Sequence, residues 1–140
     1  MDRYPRTLLA LAVVVALVAA ACGDDGDETG AEARVSFASP TDGGEVTSPV
    51  QVEMVAEGLT IEPAGRARDG AGHFHVMVDR GCVEPGETIP SDVEGYIHYG
   101  KAQTEADLEL GPGEHTLCLQ AGDGQHTALD LTDEITVEVS

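Results

Sequence analysis

Apolar and polar residues alternate in short runs along the chain from residue 34 to the C-terminus. The segment 104–110 shows the cleanest alternation, and 50–54 repeats it. A period of two is typical of a β-strand with one buried face. Five further runs predict strands near 35–37, 73–79, 96–99, 115–121 and 135–139. No helical period follows the first 21 residues, so the chain is predicted to be all-β.

Turn residues separate these runs, since the chain has 17 glycines and 7 prolines. The segments 58–72 and 80–95 are predicted to be long loops. About seven short strands joined by turns are typical of an antiparallel sandwich. We therefore expect residues 34–140 to form one immunoglobulin-like β-sandwich domain.

The first 21 residues have the pattern of an export signal. A short basic region precedes an uncharged apolar run from Leu8 to Ala21, which is too short to span a membrane comfortably. Small residues then precede Cys22, which resembles the bacterial lipobox, although Ala19 stands where leucine is preferred. We expect residues 1–21 to be a lipoprotein signal peptide, cut before a lipidated Cys22. An ordinary signal peptide with an incidental Cys22 is the alternative.

Residues 22–33 are rich in glycine and acidic side chains and hold almost nothing that could pack. Such a composition predicts a flexible, self-repelling tether. The expected location is outside the cytoplasm, with the domain anchored by lipid to the cell membrane and facing the periplasm or the cell exterior.

Two cysteines remain once Cys22 is assigned to lipid, namely Cys82 and Cys118. Outside the cytoplasm such a pair is predicted to form a disulfide. Closing a loop of that length stabilises a fold by about 3–4 kcal/mol. The alternative is a pair of metal thiolates beside the histidines.

The net charge of −19 makes nucleic acid an implausible partner, because both would carry negative charge. The sequence has no Gly-x-Ser-x-Gly elbow, no glycine-rich phosphate loop and no Cys-x-x-Cys pair. We therefore expect a binding protein rather than an enzyme.

The histidines are the main candidates for chemistry. His73 and His75 lie two apart on a predicted strand, so they share a face with Met77 while Phe74 and Val76 face the core. Two imidazoles at this spacing can hold one transition metal ion, copper or zinc, and a thioether beside them favours copper. The alternative is that these histidines lie on the surface or are held by structural hydrogen bonds.

Three more histidines lie near predicted turns. His98 and His126 are candidates to complete the metal site. His115 lies in a turn that leads into a strand, and we interpret it as structural.

Four segments, in order along the chain, resemble a bacterial family called domain of unknown function 4399. They begin with Gly72-His73-Phe74-His75-Val76-Met77-Val78-Asp79, which is similar to the family motif Gly-His-His-His-Leu-Leu-Ile-Asp. The similarity continues through 98–104, 110–117 and 122–126 and spans about Val35 to Val139. The resemblance implies an exported, β-rich protein.

The same resemblance places all five histidines on histidine positions of the family. Phe74 stands where the family commonly has its middle histidine, and Leu129 where a second histidine often follows His126. A metal that needs either position would find a weakened site here. Cys82 and Cys118 look like an addition in this sequence and not like a feature of the family.

Two functions from different classes follow. The first is a lipid-anchored binding domain that holds copper or zinc at His73, His75, His98 and His126, with Met77 as a secondary candidate ligand. The second is a structural module, or one that binds a protein or carbohydrate, whose histidines only hold loops together.

Overall fold

A computed structural model describes residues 32–140, which fold as a sandwich of two β-sheets. The predicted signal peptide, the lipidation site Cys22 and nearly all of the tether lie outside these residues. In chain order the strands are β1 (Arg34–Ser39), β2 (Gly44–Val46), β3 (Val50–Glu57), β4 (Thr60–Ile61), β5 (Ala71–Val78), β6 (Tyr96–His98), β7 (Glu105–Leu108), β8 (Gly113–Gly122) and β9 (Ala128–Val139). No helix in this part of the chain is long and apolar enough to cross a membrane.

The predicted immunoglobulin-like sandwich is confirmed, with nine strands in the described residues. One sheet has the order β1-β3-β7, and the other has the order β2-β9-β8-β5-β4 with β6 also paired to β5. Two short pairings, β2 with β9 and β4 with β5, are parallel, and the others are antiparallel. β2 and β4 lie in segments whose turn residues predicted no strand.

The strand predicted over 104–110 is shorter than its alternation, because β7 ends at Leu108. The backbone N–H of Leu110 donates to the Ser48 hydroxyl instead of continuing the ladder. A side chain from another turn therefore ends the pairing.

The main core lies between the sheets and is built from the alternating apolar positions. Val52 and Met54 of β3 face Phe74, Leu117 and Val137 of the larger sheet. All five side chains are at most 3% exposed. Burial of the facing apolar side chains contributes most of the favourable free energy that holds the two sheets together.

The outer face of the larger sheet is buried as well. The segment 79–95, here called the cover segment, crosses this face and is tied to β8 by the Cys82–Cys118 disulfide, which was predicted. Gln120 of β8 accepts a hydrogen bond from the Val83 N–H and donates one to the Val83 carbonyl, at 2.9 and 2.8 Å. Ile89 of the cover segment packs with Met77 in a second apolar cluster. The fold therefore has a second buried apolar cluster beneath the cover segment in addition to its main core.

Candidate functional site

β5 places two histidines on the covered outer face. Phe74 and Val76 enter the main core, and the period of the strand turns His73 and His75 to the other side. Their side chains are 0% and 1% exposed, so they are not surface residues. The face predicted for these histidines is confirmed, and their complete burial comes from tertiary structure.

β6 brings the third histidine to the same place. His98 ends this strand and is the register partner of His75. The two rings stack with centroids 5.1 Å apart, and His98 Nε2 lies 3.1 Å from His73 Nε2. His98 is only partly buried.

A tight turn positions the fourth histidine. The Asp123 carboxylate accepts hydrogen bonds from the backbone N–H groups of Gln125 and Thr127, at 2.8 and 2.9 Å. His126 sits between them in the left-handed backbone region, with φ of 68°. Its Nε2 lies 3.1 Å from that of His98.

These four side chains, His73, His75, His98 and His126, form what we call the histidine cluster. Their Nε2 atoms follow one another at 3.0, 3.1 and 3.1 Å in the order His75, His73, His98, His126. His73, His98 and His126 are the compact part, here called the histidine trio, since their ligand atoms lie within 4.8 Å of one another. The structure thus brings together the four histidines predicted as metal ligands.

Hydrogen bonding alone cannot satisfy this arrangement. A ring Nε2 has either one proton or one lone pair in the ring plane. Yet His73 Nε2 and His98 Nε2 each have two Nε2 neighbours within 3.1 Å. Nitrogens bound tetrahedrally to one ion at about 2.0–2.1 Å stand about 3.3 Å apart. The His73–His98 and His98–His126 spacings of 3.1 Å differ from this value by only a few tenths of an ångström, and the ligand atoms of the third pair lie within 4.8 Å. The histidine trio therefore fits a transition metal ion.

The Nδ1 atoms of the two buried rings, His73 and His75, add a free-energy cost to this arrangement. Within residues 32–140, neither His73 Nδ1 nor His75 Nδ1 has a hydrogen-bond partner. A neutral ring must place its proton either on this partnerless nitrogen or on the crowded Nε2. Leaving a buried polar group unsatisfied costs about 1–3 kcal/mol. A cation bound at the Nε2 atoms would offset part of that cost.

The buried rings are neutral at pH 7. Burial first, and then the neighbouring histidines, lower the pKa of His73 from 6.5 to about 4 and that of His75 to about 3. Burial and the adjacent His126 also lower the pKa of His98. Neutral imidazole is the form that binds metal, so protons compete little at neutral pH.

Two glycines make room for the rings. A Cβ on Gly100 would stand 2.3 Å from Cε1 and 2.5 Å from Nε2 of His98. A Cβ on Gly122 would stand 2.9 Å from His75 Nε2. Side chains at either position would displace the imidazole nitrogens of the histidine cluster.

The other predicted residues lie elsewhere. His115 is 2.7 Å from Asp79 and 2.8 Å from the Gly111 carbonyl, at the opposite end of β5, and both contacts suit the structural role expected of it. The Asp79 carboxylate and then the Gly111 carbonyl raise the pKa of His115.

Met77 packs in the second apolar cluster with Ile89 and Cys118, and this packing accounts for its burial. Its thioether therefore gives no reason to prefer copper.

The two departures from the family pattern remove no ligand from the histidine cluster. Phe74 is completely buried in the main core, on the opposite face of β5. Leu129 packs against that same core. Histidines at these positions would point away from the site, so the expected weakening does not apply to this cluster.

Sequence reasoning missed Gly100, Gly122 and Asp123. Asp123 could have been found, because an aspartate followed directly by a glycine, as at 123–124, is a turn signal. The glycines gave no such signal, because their contacts with the rings depend on tertiary packing.

Comparisons with known proteins address family and fold. A family model described as Domain of unknown function (DUF4399) matches residues 52–140. No curated protein matches the chain. The X-ray structure of an endo-β-1,4-mannanase from Thermotoga petrophila is 18% identical with a TM-score of 0.49, covering 83% of this chain and 21% of the mannanase chain. Fibronectin(III)-like modules of Clostridium thermocellum CbhA are 16% identical with a TM-score of 0.42, covering 76% of this chain and 96% of that one.

The low pKa values of the buried rings predict acid sensitivity. Between pH 6.5 and about 4 the unfolded chain takes up protons at His73 and His75 that the folded chain does not. The metal-free full chain should therefore lose roughly 3 kcal/mol of unfolding free energy per histidine as pH falls through this window. Urea midpoints measured with chelator at pH 7 and at about pH 4.5 test this. Equal midpoints at both would contradict it.

The substitution Gly100→Ala should displace His98 from its partly buried position. The added methyl group displaces the ring towards solvent, so the pKa of His98 should rise towards 6.5, as followed by NMR titration of the imidazole. Gly111→Ala is the matched control, because a Cβ there meets nothing within 4 Å. A His98 titration that is the same in both variants would refute the proposed contact.

Proposed function

We propose that this chain, which belongs to the domain of unknown function 4399 family, is an extracytoplasmic binding module that holds a transition metal ion, copper or zinc, at its histidine cluster. The role is capture or buffering of the ion at the cell surface, without catalysis.

The convergence of the Nε2 atoms carries this proposal. Histidines that hold loops together bond to backbone carbonyls or carboxylates, as His115 does. The histidine cluster differs, because the Nε2 atoms of His73 and His98 contact only other imidazole nitrogens within the described residues. Imidazole is a ligand suited to zinc, copper and nickel.

Charge supports capture of a cation. The net charge of −19 attracts positive ions to the surface. The histidine cluster itself is neutral where its pKa values are lowered, so an incoming ion meets no positive charge on His73 or His75 at pH 7.

The proposed extracytoplasmic location is supported by the predicted signal peptide, by the predicted lipidation of Cys22 and by the disulfide. Structural disulfides form in oxidising compartments, and the Cys82–Cys118 disulfide agrees with export.

Arg34, where the described domain begins its first strand, pairs with Glu57 of β3. A few residues further along the chain, β4 pairs with the start of β5 near His73. The predicted tether to Cys22 therefore joins the domain at the same end of the sandwich as His73.

The alternative is a structural module, or one that binds a protein or carbohydrate, in which the histidines serve only packing. In that case the full chain binds no metal tightly, and replacing a histidine changes stability alone. The outcome of one titration separates the two functions.

His126→Asn is the most direct variant for that titration. Asparagine tolerates the left-handed φ of 68°, so the turn is kept while one imidazole is lost. The chelator-treated full chain should bind Zn(II) and Cu(II) one to one by calorimetry. The variant should lose more affinity than the ~10–100-fold typical of losing a residue that only supports a ligand.

His115→Gln is the control, because it removes a histidine that lies outside the histidine cluster. Its metal affinity should equal that of the unchanged chain. A wild-type chain that binds neither ion, or equal affinities in the two variants, would leave the packing role as the better account.

A further inference from the structure

We infer that the histidine trio alone holds the ion and leaves one coordination position that water or a small anion occupies. This inference rests on the proposed function and specifies how the ion is held and exchanged. Closed four-ligand sites are typical of structural zinc, whereas three protein ligands leave an exchangeable position.

The first argument is the position of His75. The ligand atoms of His73, His98 and His126 form one group within 4.8 Å, and His75 is not a member of it. The Nε2 of His75 contacts that of His73 at 3.0 Å. His75 therefore contacts one ligand of the trio, and its ring lies 5.1 and 5.7 Å from those of His98 and His126, but its ligand atoms do not join the compact group.

The second argument is that the described residues offer no other donor. Met77 lies two residues beyond His75 on β5, which is about 13 Å along the strand from His73. Its side chain is buried in the second apolar cluster. Cys82 and Cys118 are joined in the disulfide, so neither supplies a thiolate.

Carboxylates do not complete the group either. The group of potential metal ligands in residues 32–140 contains histidines only. Asp92 and Asp123 act electrostatically on His98 and His73, but neither belongs to this group. The Oδ1 of Asp123 accepts two backbone N–H bonds that form the His126 turn, so this oxygen positions a ligand.

The third argument is access. His73 forms the buried base of the trio, while His98 and His126 are partly exposed. The side of the trio nearest to solvent is therefore the one formed by His98 and His126. An exogenous ligand can enter there, and the same route suits exchange of the ion with another chelator.

Cobalt(II) and azide provide the test. The full chain loaded with Co(II) has visible absorption bands that report its coordination number and ligands. Azide should shift these bands in a saturable manner, because it replaces the exogenous ligand. His75→Gln should retain one-to-one Co(II) binding and the same azide response, since His75 is outside the trio.

Two results would overturn the inference while leaving the proposed function intact. One is a Co(II) spectrum that azide does not change, which indicates a closed four-imidazole site. The other is a His75→Gln variant whose Co(II) affinity falls as far as that of His126→Asn. Failure of the unchanged chain to bind Co(II), Zn(II) or Cu(II) would overturn the proposed function together with this inference.

Discussion

Four imidazoles crowded at one point, with too few hydrogen-bond partners, are the constraint on which the rest of the structure depends. Their Nε2 atoms lie 3.0–3.1 Å apart along the cluster, and the Nδ1 atoms of His73 and His75 have no partner in the described residues. Burial keeps these rings neutral. The resulting unsatisfied nitrogens cost stability unless a cation engages them. The proposed metal ion would bind the crowded Nε2 atoms and so offset part of this cost.

The sandwich provides the arrangement through one covered face. β5 supplies His73 and His75, β6 supplies His98, and the Asp123 turn supplies His126. The cover segment then seals the neighbouring surface through the disulfide and Gln120. Since His73 and His75 lie on the opposite face of β5 from the main core, the rings pack against one another without disturbing the contact between the sheets.

The sequence predicted the fold class because period-two alternation is a local property. Val52 and Met54, or Phe74 and Val76, have to share a face once a strand forms. β2 and β4 were missed because strands of three and two residues are too short to show a period. β7 was predicted too long because the bond from Leu110 to Ser48 joins residues 62 apart.

The site was predictable only in part, for the same reason. Strand periodicity placed His73 and His75 on one face, and the histidine count pointed to His98 and His126. Burial by the cover segment, clearance at Gly100 and the withdrawal of Met77 all depend on long-range contacts. No pattern along the chain encodes them. The structure therefore changed the expected donor set from imidazole plus thioether to imidazole alone.

X-ray absorption at the zinc edge of the Zn(II)-loaded full chain tests the central claim most directly. We expect nearest neighbours of nitrogen or oxygen only, at about 2.0–2.1 Å, with the outer-shell scattering of at least three imidazole rings. A sulfur shell at about 2.3 Å, or an oxygen shell without imidazole scattering, would contradict a site built from the histidine cluster.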